Sequence, residues 1–409
     1  MLNVLINAYA ISPDHGSEPG MGWNWCVRLA KEHNLFIITE GEFRDGIERV
    51  LPTLPQASNM HFYFLPVSDR IRRMCWNQGD WRFYFHYRRW QKRALSQARA
   101  ICSEQSIDVI HQLNMVGFRE PGFLWKISGP KFVWGPIGGM ALTPVRYFWE
   151  ASWQVRFHAV CKNALNALQR RFSIRVLRAL LKADAVLCAT PAEQSFVSRQ
   201  TSNKVLWVSE TGTDSPDGAV HPVIHAPLRI IWVGRFIPTK QLGLALRMMA
   251  RLKGEDVMLR IVGSGPEREV TRYKALAESL GIGDQVAWLG QVPHDSVVGL
   301  MKESDLFLFT SIMEATSTVV MEALSNGLPV LCFDTCGFGP LVDENIGVKI
   351  PVTTPDDSIG RFADAVRQLT ADPERLARMS EAAAEKAKDL TWDEKTAKVS
   401  ALYLELTAS

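Results

Sequence analysis

Two glutamates with seven residues between them, Glu314 and Glu322, stand in the segment TSIMEATSTVVMEALSNGLPVL (310 to 331), between two apolar runs. Glu314 falls on the loop after DLFLFT, the TST run at 316 to 318 offers a helix N-cap with free amides, and Glu322 falls inside that helix. Amides at the positive end of a helix receive phosphate, which leaves carboxylates to accept hydrogen bonds from sugar hydroxyls. The same acids would also suit a helix surface and a helix start. Upstream, GRFIPTK (234 to 240) places Arg235 and Lys240 just after another apolar run. A planar forked cation beside a mobile point charge suits a diphosphate, although alone the two could be solvated surface charges. Taken together, the four residues describe a pocket for a nucleotide-activated sugar.

A glycine cluster, HGSEPGMGWNWCVRLA (15 to 30), follows the first apolar run. Gly16, Gly20 and Gly22 would let backbone amides approach an anion at a helix N-terminus, or would simply make a flexible loop. Their spacing is not the dinucleotide fingerprint.

These residues need a scaffold that puts them at strand ends. Strand candidates lie at 2–8, 35–39, 61–65, 108–113, 131–135, 185–190 and 204–209, most of them separated by stretches of helical period. A second series lies at 228–234, 257–263, 285–290, 305–310 and 328–333. Such alternation predicts two doubly wound, Rossmann-like parallel sheets, each covered on both faces and binding ligands at the carboxyl ends of its strands, with a cleft between them. The expected domains are 1–211 with the terminal helix 391–409 crossing back to it, a linker at 212–227, and 228–390.

At 409 residues, with 47% apolar and 22% charged side chains, the chain suits two globular domains and excludes wholesale disorder, fibrous repeats and a small stapled module. Seven cysteines without a CxxC pair or zinc spacing predict reduced thiols in a cytosolic setting. The N-terminus has no positive n-region and no apolar run is long enough to span a bilayer, so the expectation is a protein neither secreted nor transmembrane. The net charge of +3 hides an asymmetry: residues 1–200 hold 25 Lys and Arg against 15 acids, and the remainder holds 21 against 28. A basic half can serve nucleic acid, an anionic membrane face or a phosphorylated substrate.

The spacing of Glu314 and Glu322, followed by Ala323, Gly327, Pro329 and Val330, resembles the E-x7-E signature of the family 4 retaining glycosyltransferases, which have the GT-B fold. GRFIPTK resembles that family's arginine and lysine, and VGSGPE (262 to 267) its next strand-end loop. In the first half the resemblance is looser, resting on the glycine loop, the DVIH strand end and VWGPIGG (133 to 139). The resemblance implies that Arg235 and Lys240 hold the donor diphosphate and stabilise the leaving group. It further implies that Glu314 contacts the donor sugar and Glu322 binds the nucleotide ribose, with the amides near Ser317 and Thr318 on sugar and phosphate. Gly20, Gly22, Gly263 and Val292 complete the expected donor contacts. His111 stands where the family has an active-site histidine, or is a buried core histidine. One departure touches the sugar: the glycine usual after the first glutamate is Ala315, followed by Thr316 and Ser317. With no Asp-x-Asp pair suited to Mg²⁺, neither metal nor other cofactor is expected.

The stretch RIRRMCWNQGDWRFYFHYRRWQKR (70 to 93) interleaves seven aromatic rings with arginines and lysines, a composition suited to an anionic membrane interface, to single-stranded RNA, or to rings packed inward beneath wet arginines. A second basic segment, 146–182, continues the pattern. The combined expectation is a retaining transferase moving sugar from a UDP- or GDP-activated donor to a glycan or polyprenyl-linked glycan acceptor in cell-surface polysaccharide synthesis. It would sit at the inner face of the membrane and bind no nucleic acid. A sugar-nucleotide epimerase of similar architecture and a nucleic-acid-binding protein are the rivals.

Overall fold

The computed structural model describes residues 1–76, 80–214 and 224–408, which fall into two compact units. The first holds 1–140, 167–211 and 392–409, and the second 141–166 and 212–391. Most of the expected linker, residues 215–223, lies outside the described residues.

The first unit runs β1 (Asn3–Ala8), α1 (Ser17–Leu29), β2 (Asn34–Thr39), α2 (Arg44–Val50), β3 (Met60–Phe64), α3 (Asp69–Trp76), α4 (Phe83–Glu104), β4 (Val109–Asn114) and β5 (Lys131–Ile137). Helix α5 (Trp153–Phe172) follows, its residues up to 166 grouping with the second unit and the rest with the first, and then the first unit continues with α6 (Ile174–Lys182), β6 (Ala185–Cys188), α7 (Pro191–Val197) and β7 (Lys204–Trp207). The sheet is wholly parallel in the order β3-β2-β1-β4-β5-β6-β7. Its central strands are covered on both faces: β4 is buried at all six positions, His111, Gln112 and Asn114 included.

The second unit repeats the plan with β8 (Leu228–Val233), α8 (Leu242–Arg251), β9 (Val257–Val262), α9 (Glu267–Ser279), β10 (Val286–Gly290), α10 (His294–Lys302), β11 (Leu306–Phe309), α11 (Thr318–Ser325) and β12 (Val330–Phe333). It closes with β13 (Gly347–Ile350), α12 (Pro355–Thr370) and α13 (Pro373–Ala387). The order is β10-β9-β8-β11-β12-β13, again parallel throughout. The last helix, α14 (Trp392–Ala408), belongs to the first unit, where it lies on α1.

Residues 141–166 group with the second unit, whereas the sequence boundaries leave them in the first domain. Side chains explain the difference. Tyr147 is 1% exposed and its hydroxyl meets Ser358 Oγ at 2.7 Å, Gln241 Nε2 donates to Tyr147 O at 2.9 Å, and Arg247 pairs with Glu150 at 2.9 Å. No described helix is long and apolar enough to cross a membrane.

The basic aromatic stretch is divided between α3 and α4, apart from residues 77–79, which lie outside the described ones. Phe83, Tyr87 and Trp90 are buried on the Tyr9 ring, while Trp81 and Phe85 are exposed. Four of its seven arginines find protein partners: Arg72 pairs with Glu40, Arg82 with Asp80, Arg88 with Glu120, which also holds Arg175, and Arg93 donates to Pro66 O, while Arg70, Arg73 and Arg89 are exposed. Helical period decides this. Positions 83, 87, 90, 94, 98 and 101 of α4 fall on one stripe, and that stripe is the buried one.

Candidate active site

In the second unit β8 lies between β9 and β11, so the loops leaving the carboxyl ends of these strands are neighbours. Two loops are tied together by hydrogen bonds. Trp232 Nε1 donates to Thr310 Oγ1 at 3.0 Å, Thr310 Oγ1 donates to Lys240 O at 2.7 Å, and Ile312 N donates to Thr239 O at 3.0 Å. That lattice delivers Lys240 to Glu314: Nζ stands 2.7 Å from Oε1 and 4.9 Å from the centre of the Phe309 ring. Ser311 Oγ donates to the same carboxylate oxygen at 2.9 Å, and Glu314 N meets Cys336 Sγ at 3.3 Å. Arg235 is exposed beside them, and its guanidinium has no partner among the described residues.

Ser317 caps α11 without using its hydroxyl and is buried, while Thr318 is the exposed first residue of the helix. One turn on, Glu322 Oε1 lies 3.1 Å from His294 Nε2, at the start of α10. Gly263 has φ +130°, and a Cβ there would come within 1.9 Å of Gly234 O, so the ends of β8 and β9 can approach only over a glycine. Val292, half-buried after β10, packs with the apolar cluster beneath α11. The structure therefore assembles Arg235, Lys240, Gly263, Glu314, Ser317, Thr318 and Glu322 at the strand-end edge of one sheet, with Val292 supporting that edge.

The remaining candidates belong to the first unit. His111 is mid-strand in β4 and 0% exposed, paired in register with Ile6 and Val133. Its Nε2 lies 2.6 Å from Gly135 O, which can only accept, so Nε2 carries the proton and Nδ1 accepts from the Tyr403 hydroxyl on α14. Burial lowers the imidazole to about 4, with the Gly135 bond acting weakly in the other direction. Both nitrogens are committed to core partners, which is the placement of a core histidine. Gly20 and Gly22 fall inside α1 instead of on a phosphate loop. A Cβ on Gly20 would meet His15 O at 2.3 Å and one on Gly22 would meet Ala10 O at 2.6 Å, so close backbone approach explains both.

Two features escaped the sequence reading. His294 could have been suspected, since it follows strand QVAWLG as Arg235 follows its own strand. The other is a cavity of about 330 Å³ in the first unit, whose lining residues include Tyr9, Trp76, Phe83, Tyr84, Glu18 and Asp80. Glu18 accepts from Val116 N at 2.6 Å, yet burial still pushes its carboxyl up. Only the SEP tripeptide opening α1 hinted at it.

Two parallel doubly wound units with these topologies define a GT-B fold. Sucrose-phosphate synthase from Thermosynechococcus elongatus shares it, with a TM-score of 0.64 and 17% identity over 100% of both chains. So does Anabaena HepE in complex with UDP-glucose, with a TM-score of 0.56 and 17% identity over 100% of both. Residues 219–386 match the family described as glycosyl transferases group 1. The expected likeness to family 4 glycosyltransferases is thus borne out over the half of the chain that carries the E-x7-E segment. Among curated relatives, D-inositol 3-phosphate glycosyltransferase of Corynebacterium glutamicum is 29% identical over 187 residues, 44% of each chain. The match spans less than half the length of such relatives.

Proposed function

We propose that the protein transfers a sugar, with retention of configuration, from a nucleoside diphosphate sugar to a glycan or polyprenyl-linked glycan acceptor at an anionic membrane face. The observation that carries the donor reading is the Lys240–Glu314 pair beside the unpartnered Arg235, at the strand-end edge of a group 1 domain. An arriving diphosphate competes with Glu314 for Lys240. The carboxylate released from that pair then accepts a hydrogen bond from a sugar hydroxyl. As the glycosidic bond breaks, negative charge grows on the leaving nucleoside diphosphate, and fixed cations stabilise it without reorganising. Glu322 receives the ribose, steadied by His294. The related fold of HepE in complex with UDP-glucose supports a nucleotide-sugar donor, and Arg235 with Lys240 supplies the counter-charge without a metal being assigned a role.

The cavity of the first unit supports a carbohydrate acceptor, since aromatic faces pack on sugar C–H groups and carboxylates accept from hydroxyls. Thermal unfolding across a panel of UDP- and GDP-sugars tests the donor assignment. At about 100 times Kd a true donor stabilises by roughly 2.7 kcal/mol, and Arg235→Ala should abolish most of the shift. A panel in which no nucleoside diphosphate sugar raises Tm removes the proposal.

A further inference from the structure

Nineteen large apolar side chains are exposed among the described residues, and ten of them fall between 153 and 181. In α5 five of its seven fall in one series: Trp153, Phe157, Val160, Leu168 and Phe172, with Ala164 between, follow the three-and-four spacing of a helix face, while Val155 and Leu165 stand off it. Trp153 is 73% exposed and Phe172 65%. An amphipathic helix normally turns its apolar stripe to the core. Here the buried positions of α5 are the small Ala159 and the polar Asn166, whose Nδ2 donates to Ala141 O at 3.0 Å. Helix α6 repeats the arrangement, burying Val176, Ala179 and Leu180 while leaving Ile174, Leu177 and Leu181 in water.

Charge says what covers this surface. Residues 151–183 hold seven Lys and Arg and no carboxylate. Arg156, Arg170 and Arg175 turn back onto protein oxygens, whereas Lys162, Arg178 and Lys182 are exposed with no polar partner among the described residues. A second copy of the same surface would bring cations against cations with no acid to relieve them. An anionic bilayer offers acyl chains to the rings and phosphates to the cations, and a helix of this kind lies in the headgroup plane without crossing it.

We propose that α5 is the membrane-docking helix, lying flat on anionic lipid with Trp153, Phe157 and Leu168 inserted, and that the bare apolar and cationic face of α6 takes lipid in the same way. This places the membrane contact on residues 153–182 and not on the 70–93 stretch, where Phe83, Tyr87 and Trp90 are core and Arg72, Arg82, Arg88 and Arg93 are held on protein oxygens. It rests on the membrane part of the proposed function and needs nothing from the donor site.

The wild-type protein carries its own probe, because Cys161 is the one exposed thiol among the seven cysteines and lies within α5. An environment-sensitive dye on Cys161 should shift to the blue with phosphatidylglycerol-containing vesicles and shift much less with phosphatidylcholine alone. In co-sedimentation, added salt should weaken binding and leave an apolar remainder. The triple variant Trp153→Ser, Phe157→Ser, Leu168→Ser should lose binding by about tenfold or more at unchanged Tm. Trp81→Ser with Phe85→Ser should bind as wild type does. Vesicle binding without a dye shift, or lost by the Trp81/Phe85 variant and kept by the triple variant, overturns the assignment. So does concentration-dependent dimerisation that the triple variant abolishes in a protein that ignores vesicles. Nucleoside diphosphate stabilisation, measured on the same samples, shows separately whether the donor site stands.

Discussion

Acid should destabilise the first unit through His111, whose burial favours the neutral ring. The folded imidazole is held near 4 by burial, with its proton on Nε2 against Gly135 O and its lone pair against the Tyr403 hydroxyl. The unfolded chain returns it to the ordinary value near 6.5. As pH falls, the unfolded state takes up the proton first, so the stability linked to His111 is complete above about 6.5, is lost below it, and levels off below about 4. Integrated between pH 7 and pH 5, the loss is about 2 kcal/mol. The measurement is urea unfolding followed by tryptophan fluorescence at both pH values, for wild type and for His111→Gln. The variant should be less stable throughout, but its loss between the two pH values should be smaller by about 2 kcal/mol. Parallel pH dependences would mean that the ring titrates as a solvated histidine, and the catalytic reading of His111 would then return.

Other consequences concern the second unit. Arg235→Ala should lower kcat/KM at least about tenfold while leaving Tm unchanged, since the side chain is exposed and unpartnered; steady-state kinetics with any donor that stabilises the protein decides it. Lys240→Ala should cost a similar factor and also strand Glu314, so the double variant with Glu314→Gln should recover stability but not turnover. Glu322→Gln and His294→Ala should each weaken binding of the free nucleoside diphosphate in calorimetry, and their effects should be less than additive because the two side chains touch. Gly263→Ala should lose more than about 1 kcal/mol in thermal unfolding, from the strained φ and the clash with Gly234 O together.

Much of the fold was legible because buried parallel strands leave unbroken apolar runs: all twelve strand candidates are strands. The thirteenth, β13, was not, since GVKI is four residues long, half-exposed, and interrupted by Lys349 at a sheet edge. The donor edge was legible because its residues follow strands directly, and topology alone then sets them side by side. Gly20 and Gly22 misled for a physical reason: one residue type serves both an anion loop and a backbone crossing. Only the distance to His15 O or Ala10 O tells these apart. Likewise nothing in the letters says which face of α5 meets water, because a stripe at helical spacing looks the same whether it is core or bare. The cavity around Glu18 draws on residues from 9 to 115, and no local window holds them all.

Helix α14 follows every element of the second unit in the chain, yet it closes the first unit: Tyr403 serves His111, His33 Nε2 meets Ser400 Oγ at 2.8 Å, and Trp392 and Val399 complete the apolar layer around Trp25. A ribosome therefore releases the whole second unit before the first can finish its own core. During that interval the sheet of the first unit lacks the outer part of the apolar layer on one side, and a buried histidine lacks its hydroxyl partner. Order of synthesis and order of completion are reversed in this chain, and a stop codon just ahead of Trp392 would damage the unit that was translated first.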